Sequence, residues 1–287
     1  MLDIARVSVH ESYIDNIYGD GEIFLQEYAD NAINSYFFLQ STVNPKHAAI
    51  ARHYGSGVFR LLKTPKTGLT NVKPRDIQQA AFLDSLLDPS ILVSVGVGSA
   101  GTGKTTLALA YAMHMYMTQN KVIQLTKPTT FIGDGNAFGP VPGDISEKYD
   151  PYLDSYYIVL KKILGDQALS YLHQMKTKDQ LRFTPIALAR GCTYENATFI
   201  IDEAQNLTWH ELHSIISRIG EGSKCIILGD FTQIDTDQST QETGFFQLIN
   251  SAAFAHSEIT GAIQLVSQYR SPITQLIAEV NDEIKSK

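Results

Sequence analysis

From Pro74 onward, short apolar runs alternate with longer stretches in which apolar residues recur every three or four positions. The first kind reads as buried strand, the second as a helix packed on one face. IQQAAFLDSLL follows Pro74, which suits a first helical turn. ILVSVGVG at 91–98 is then a strand, Thr105 to Met117 a helix rich in Ala, Leu and Met, and KVIQLTK at 121–127 the next strand. IALA at 186–189, ATFIID at 197–202, KCIILGD at 224–230 and AIQLV at 262–266 supply the remaining strands. Helices are expected over 155–177, 208–219, 243–252 and 271–284, with a polar connection over 178–184. Residues 133–154, rich in Gly, Pro and Asp, read as a long loop. Strands alternating with helices imply a mostly parallel sheet covered on both faces, an α/β fold.

Residues 1–70 have a different texture. GEIFLQEY and NSYFFLQ lie between Gly, Asn and Pro signals, the pattern of short strands and turns in a small N-terminal domain ahead of residues 71–287. The 287 residues, 44% hydrophobic, suffice to bury a core. With 23 basic and 30 acidic residues the net charge is -7, so there is no global basic field and any grip on nucleic acid has to be local. Two cysteines, Cys192 and Cys225, supply neither a disulfide framework nor a four-ligand zinc site. The start, MLDIARVSVHESYIDN, carries charges where a signal peptide needs an apolar core, and no run of eighteen apolar residues occurs. No membrane span and a cytoplasmic location are expected.

Three segments point to chemistry. GSAGTGKT at 98–105 matches GxxxxGK[ST] between a predicted strand and a predicted helix. In such a loop the backbone of Gly98, Ser99, Ala100, Gly101, Thr102 and Gly103 curls its N–H groups inward to cradle phosphate. Lys104 then reaches the β and γ phosphates, and Thr105, with Thr106 beside it, stands where a hydroxyl holds magnesium. In FIIDEAQN at 199–206 an apolar strand delivers Asp202 to its C-terminal end, where it can complete the magnesium shell. Glu203 follows, placed to orient or deprotonate an attacking water, unless the two acids merely end a strand and cap a helix. In LGDFTQID at 228–235, Asp230 again ends a strand, and Gln233 either senses the γ-phosphate or belongs to a polar turn. Gln79, more than its neighbour Gln78, can match the edge of adenine, although a solvent-facing glutamine would look the same. Arg270 in QYRSP and Arg190 after IALA are each a candidate to stabilise phosphate charge or an ordinary ion-pairing residue.

These residues together resemble the PhoH family of phosphate-starvation-associated ATPases, relatives of superfamily 1 helicases. The likeness is closest to the branch whose longer members carry an N-terminal PIN nuclease domain. It is tightest over PRDIQQAAFLDSLL, GSAGTGKTTLA, PGDISEKYDPYLD, IIDEAQNLT, ISRIGEGSK and LGDFTQID. The resemblance implies a RecA-like P-loop NTPase core, ATP and Mg2+ as cofactors, action on single-stranded RNA or DNA with RNA favoured, and a homo-oligomer, a ring such as a hexameric one, with an arginine acting in trans. It gives Glu203 the water-positioning role and Gln233 the γ-phosphate-sensing role. TKP at 126–128 fits the motif after the P-loop helix, although the family more often has Arg where Lys127 stands. QYRSP looks more like the corresponding helicase motif than like this branch. The chain leaves no room for a PIN domain before the ATPase, so no nuclease activity is expected. Phe131, Phe138, Tyr149 and Tyr152 are candidates to stack nucleobases, or are core or interface rings. The rival reading is a nucleotide-gated protein scaffold.

Overall fold

The computed structural model describes residues 2–65, 68–128, 145–184, 186–189, 192–236, 238–269, 276 and 280, with the side chains at 145–153, 176, 187 and 188 excluded. The first sheet is built from β1 (Ala5–Val9), β2 (Glu22–Phe24), β3 (Tyr36–Ser41), β4 (Ala48–His53) and β5 (Val58–Leu61) in the order β1-β3-β4-β5-β2. One face packs on α1 (Glu11–Gly19) through Ile14 and Ile17, against Phe37, Leu39, Ala51 and Phe59. The strand-rich reading of this region holds, but α1 is an addition. Its two buried isoleucines, three apart, give it a stripe only one turn long.

Then come α2 (Ile77–Leu87), β6 (Val93–Val97), α3 (Lys104–Gln119), β7 (Val122–Thr126), α4 (Ile145–Leu164), α5 (Ala168–Thr177), β8 (Leu181–Phe183), α6 (Ile186–Ala189), β9 (Ala197–Ile201), α7 (Trp209–Ile216), β10 (Lys224–Gly229), α8 (Gly244–Ile249), α9 (Ala252–Ala255) and β11 (Thr260–Gln264). The second sheet runs β11-β6-β10-β9-β7-β8, and every pair in it is parallel. All five residues of β9 and all six of β10 are buried, as strands covered on both faces must be. Among the described residues, no helix is long and apolar enough to cross a membrane.

Three expectations need correction. IALA is not a strand but the short helix α6; alanine and leucine are strong helix formers, and the six strands of the sheet do not include this segment. The sixth strand is instead β8, inside the expected polar connection, where Leu181 is buried and Arg182 exposed in the alternation of a sheet edge. The helix expected over 155–177 begins at Ile145, within the expected loop, and breaks at Gly165, whose φ of 60° ends α4 before α5 begins. Of the helix expected over 271–284, only residues 276 and 280 are described.

The two sheets are fastened by polar contacts. Asn34 donates to the carbonyls of Glu258 and Thr260, both at 2.9 Å. Arg52, almost wholly buried, pairs with Asp84 of α2 at 3.2 Å and with Asp88, which caps the end of that helix. The Tyr36 hydroxyl donates to Asp84 at 2.9 Å. Lys224, on β10, donates to the carbonyls of Ser85 and Asp88. Burial pushes its ammonium down from the ordinary 10.5 to about 7, against the pull of Asp88.

Arg52→Leu leaves Asp84 buried beside Tyr36 without its cation, and should cost about 3–5 kcal/mol in urea denaturation. Arg60→Leu breaks a half-exposed pair with Glu22 and should cost under about 1 kcal/mol. Equal losses would contradict this picture. For Lys224, the unfolded chain keeps its proton up to about pH 10.5 while the native chain releases it near 7. The penalty for burying the charge is therefore complete below pH 7 and lifts as pH rises to 10.5. Wild-type stability should gain on Lys224→Met over that window, with a slope no steeper than about 1.4 kcal/mol per pH unit. Parallel stability curves would show that Lys224 does not titrate there.

Candidate functional site

Parallel register brings the C-terminal ends of three strands to one edge of the sheet, β6 level with β10 and β9 two residues short of them. Val97 pairs with Gly229, and Ile227 pairs with Ile201. The chain leaves β6 into the loop 98–103, β9 into Asp202 and β10 into Asp230, all at the C-terminal edge where open α/β sheets bind ligands. A polar cavity of 210 Å³ opens there, lined by the loop, Lys104, Thr105, Asp202, Glu203, Asp230 and Gln233.

The loop needs its glycines. Gly101 and Gly103 have φ of 85° and 92°, the left-handed region that side chains resist. A Cβ on Gly103 would also lie 2.9 Å from the Gln79 amide nitrogen. Thr102 is fully buried, with its hydroxyl on the Ser99 carbonyl at 2.8 Å. Gln79 Nε2 donates to the Thr102 carbonyl and its Oε1 accepts from the Arg75 N–H, both at 2.9 Å. The side chain expected at the adenine edge thus fastens α2 to the back of the loop. The Lys104 ammonium lies on the carbonyls of Gly98 and Ser99, the latter at 3.1 Å.

The carboxylates come next. Thr105, on the first turn of α3, donates to Asp202 Oδ2 at 3.3 Å. Asp202 Oδ1 accepts from the Glu203 N–H at 3.1 Å. Burial, and then the Glu203 charge, push the Asp202 carboxyl up to about 6. Glu203 itself sits at φ 56°, ψ 36°, a costly conformation for a non-glycine residue. Asp230 is also buried. Its Oδ1 accepts from the Thr232 N–H and hydroxyl, while Oδ2 has no hydrogen-bond partner among the described residues.

These groups fit a magnesium nucleotide. A buried carboxylate raised toward neutrality and an unpartnered carboxylate oxygen both gain from a cation or its water shell. Among the described residues no three His, Cys, Asp or Glu side chains could by themselves hold a metal. Magnesium fits that pattern, because it is usually held by one or two carboxylates together with substrate phosphates.

The structure brings the loop residues, Lys104, Thr105, Thr106, Asp202, Glu203, Asp230 and Gln233 to one edge. Arg190, Arg270, Phe131 and Phe138 lie outside the described residues, as do the side chains of Tyr149 and Tyr152. Three contributors escaped the sequence reading. Gln205, fully buried, donates to the Glu203 carboxylate at 2.7 Å and to the Gln233 carbonyl at 2.9 Å, and accepts from the Asp230 N–H at 2.9 Å. Its signal was its place in DEAQN, an amide inside a catalytic motif. Tyr269 donates its N–H to the Gly101 carbonyl and its hydroxyl to Asp76, with the Arg75 guanidinium 4.9 Å from its ring. QYRSP had drawn notice for Arg270, not for the tyrosine. Tyr156 donates to Asp202 at 3.2 Å and carried no signal at all.

A model of the PhoH-like protein family matches residues 71–282. A PhoH-like protein of Mycobacterium tuberculosis (strain ATCC 25618 / H37Rv) is 36% identical over 165 residues, 57% of this chain and 45% of that protein. One from Bacillus subtilis (strain 168) is 40% identical over 141 residues, 49% of this chain and 43% of that protein. Protein PhoH2 of Mycolicibacterium smegmatis (strain ATCC 700084 / mc(2)155) is 30% identical over 279 residues, 94% of this chain and 60% of that protein. The chain thus spans less than two thirds of each of these relatives. With its phosphate loop and paired strand-end carboxylates on one sheet edge, the chain belongs to the PhoH-like family, P-loop proteins of the superfamily 1 helicase-like class.

Proposed function

We propose that this chain hydrolyses ATP with magnesium on a RecA-like core and couples turnover to single-stranded nucleic acid, RNA foremost. The observation that carries the ATPase reading is the Thr105 hydroxyl against Asp202, beside the loop that holds Lys104. In this reading Lys104 exchanges the Gly98 and Ser99 carbonyls for β and γ phosphate oxygens. Magnesium, when bound, draws charge from those oxygens. Glu203 aims a water in line with the γ-phosphate, held by Gln205 and by its own strained backbone. Gln233, whose carbonyl Gln205 also holds, reads the γ-phosphate with its exposed amide. Gln79 has two of its four amide valences taken by backbone, which leaves one donor and one acceptor for adenine. A second copy in a ring would close the open side of the cavity, and Arg190 or Arg270 would supply the guanidinium.

Phosphate release tests the chemistry. Lys104→Ala should abolish turnover and weaken ATP binding. Glu203→Gln should lower turnover by about 10²–10⁴-fold yet bind ATP as wild type, because the cradle is intact. Wild-type turnover in Glu203→Gln would remove Glu203 from the water-orienting role.

The nucleic-acid half rests on family membership and the helicase-like QYRSP. Single-stranded RNA should stimulate ATP turnover at low salt, and the effect should fall as salt rises. If neither RNA nor single-stranded DNA binds or stimulates across the series, the nucleotide-gated scaffold replaces this half.

A further inference from the structure

Tyr156 stands on α4, 46 residues from Asp202 in sequence, and is 3% exposed. Its hydroxyl donates to Asp202 Oδ2 at 3.2 Å, the oxygen that also accepts from Thr105. The Lys127 ammonium, just past β7, lies 5.8 Å from the Tyr156 ring centroid. Asp202 donates its N–H to Thr126 at the end of the same strand, at 2.9 Å. One and two turns farther along α4, Leu160, Ile163 and Leu164 are buried in the core shared with α3, the helix that opens at Lys104.

A phenol in this position has a cost. Phenylalanine would fill the same space without taking a hydroxyl out of water, so packing alone does not account for a tyrosine. What the hydroxyl adds is direction. The terminal torsion of an aspartate is broad, and the donors around it decide where its lone pairs point. The Glu203 N–H holds Oδ1. Among the described residues, the phenol and the Thr105 hydroxyl are the hydrogen-bond donors to Oδ2, and that hydroxyl is itself the proposed ligand. We propose that Tyr156 is a positioning residue for the divalent cation. Its phenol fixes Asp202 Oδ2 toward Thr105, and through this bond loading of the site is felt along α4. The inference rests on the ATPase reading and adds to it a link from the metal carboxylate to a helix outside the P-loop motifs.

The test uses Tyr156→Phe in the full chain. Mn2+ binding is followed by electron paramagnetic resonance with a non-hydrolysable ATP analogue present. The loss of one hydrogen bond to a charged group should weaken Mn2+ about tenfold. Affinity for a fluorescent ATP analogue in EDTA should stay at the wild-type value, which also reports that the variant is folded. In turnover, half-saturation by Mg2+ should rise about tenfold, with kcat restored at high Mg2+. Hydrogen exchange should show α4 amides protected by metal and nucleotide in wild type, and less so in the variant. Wild-type Mn2+ affinity in Tyr156→Phe overturns this inference alone, and so does an equal loss of metal-free nucleotide affinity, the mark of a merely structural role. Failure of wild type itself to bind Mn2+ with the nucleotide overturns the ATPase reading, and this inference with it.

Discussion

The arrangement depends on the parallel register of β6, β9 and β10. These strands lie side by side at the middle of the second sheet, buried on both faces, and all three run out at the same edge, β9 two residues short of β6 and β10. A slip of one residue would turn each apolar side chain to the other face. The register also sets where the phosphate loop, Asp202 and Asp230 leave the sheet. Thr105 and Asp202 are 97 positions apart in the chain, yet their side chains meet at 3.3 Å because the parallel sheet sends β6, which leads into α3, and β9 to the same edge. The core's demand for buried apolar faces thus fixes the geometry of a polar site.

Within that frame, the site is held by a few polar groups that satisfy one another. Gln205 spends its amide on Glu203, Asp230 and Gln233, joining the turn after β9 to the turn after β10. In a buried position such a network is rigid when complete and costly when any member is lost. It also holds Glu203 in a left-handed conformation that a glutamate would not choose alone. In that conformation Glu203 lines the cavity.

The first sheet meets the second through apolar packing at Ile4, Tyr36 and Leu62 and through a set of polar contacts. Arg52 from β4 reaches Asp84 on α2 and Asp88 at its C-cap, and Asn34 satisfies two carbonyls around the start of β11. The helix that receives Arg52 also carries Gln79, which fastens the phosphate loop. The N-terminal region and the site therefore share α2 as a common strut.

Much was legible before any fold was known. The glycine loop, Lys104 and Thr105 are contiguous, so their chemistry is written in local spacing, and the apolar strands ending in Asp202 and Asp230 announce an edge. The α/β class followed from alternation alone. What escaped was set by tertiary contacts. IALA had the apolar character of a strand, but only strand pairing decides membership in a sheet, and the edge went to Leu181–Phe183. Gln79 suited the edge of a nucleobase, and only packing showed that its amide also serves the backbone of the loop. Tyr156 was indistinguishable from other tyrosines in a helical stretch until the fold brought its hydroxyl to Asp202. The sequence by itself determined the chemistry carried by neighbours in the chain, because backbone spacing is local. Only the tertiary structure decided which distant donors orient that chemistry, because a hydrogen bond depends on distance and angle in space, and sequence separation records neither.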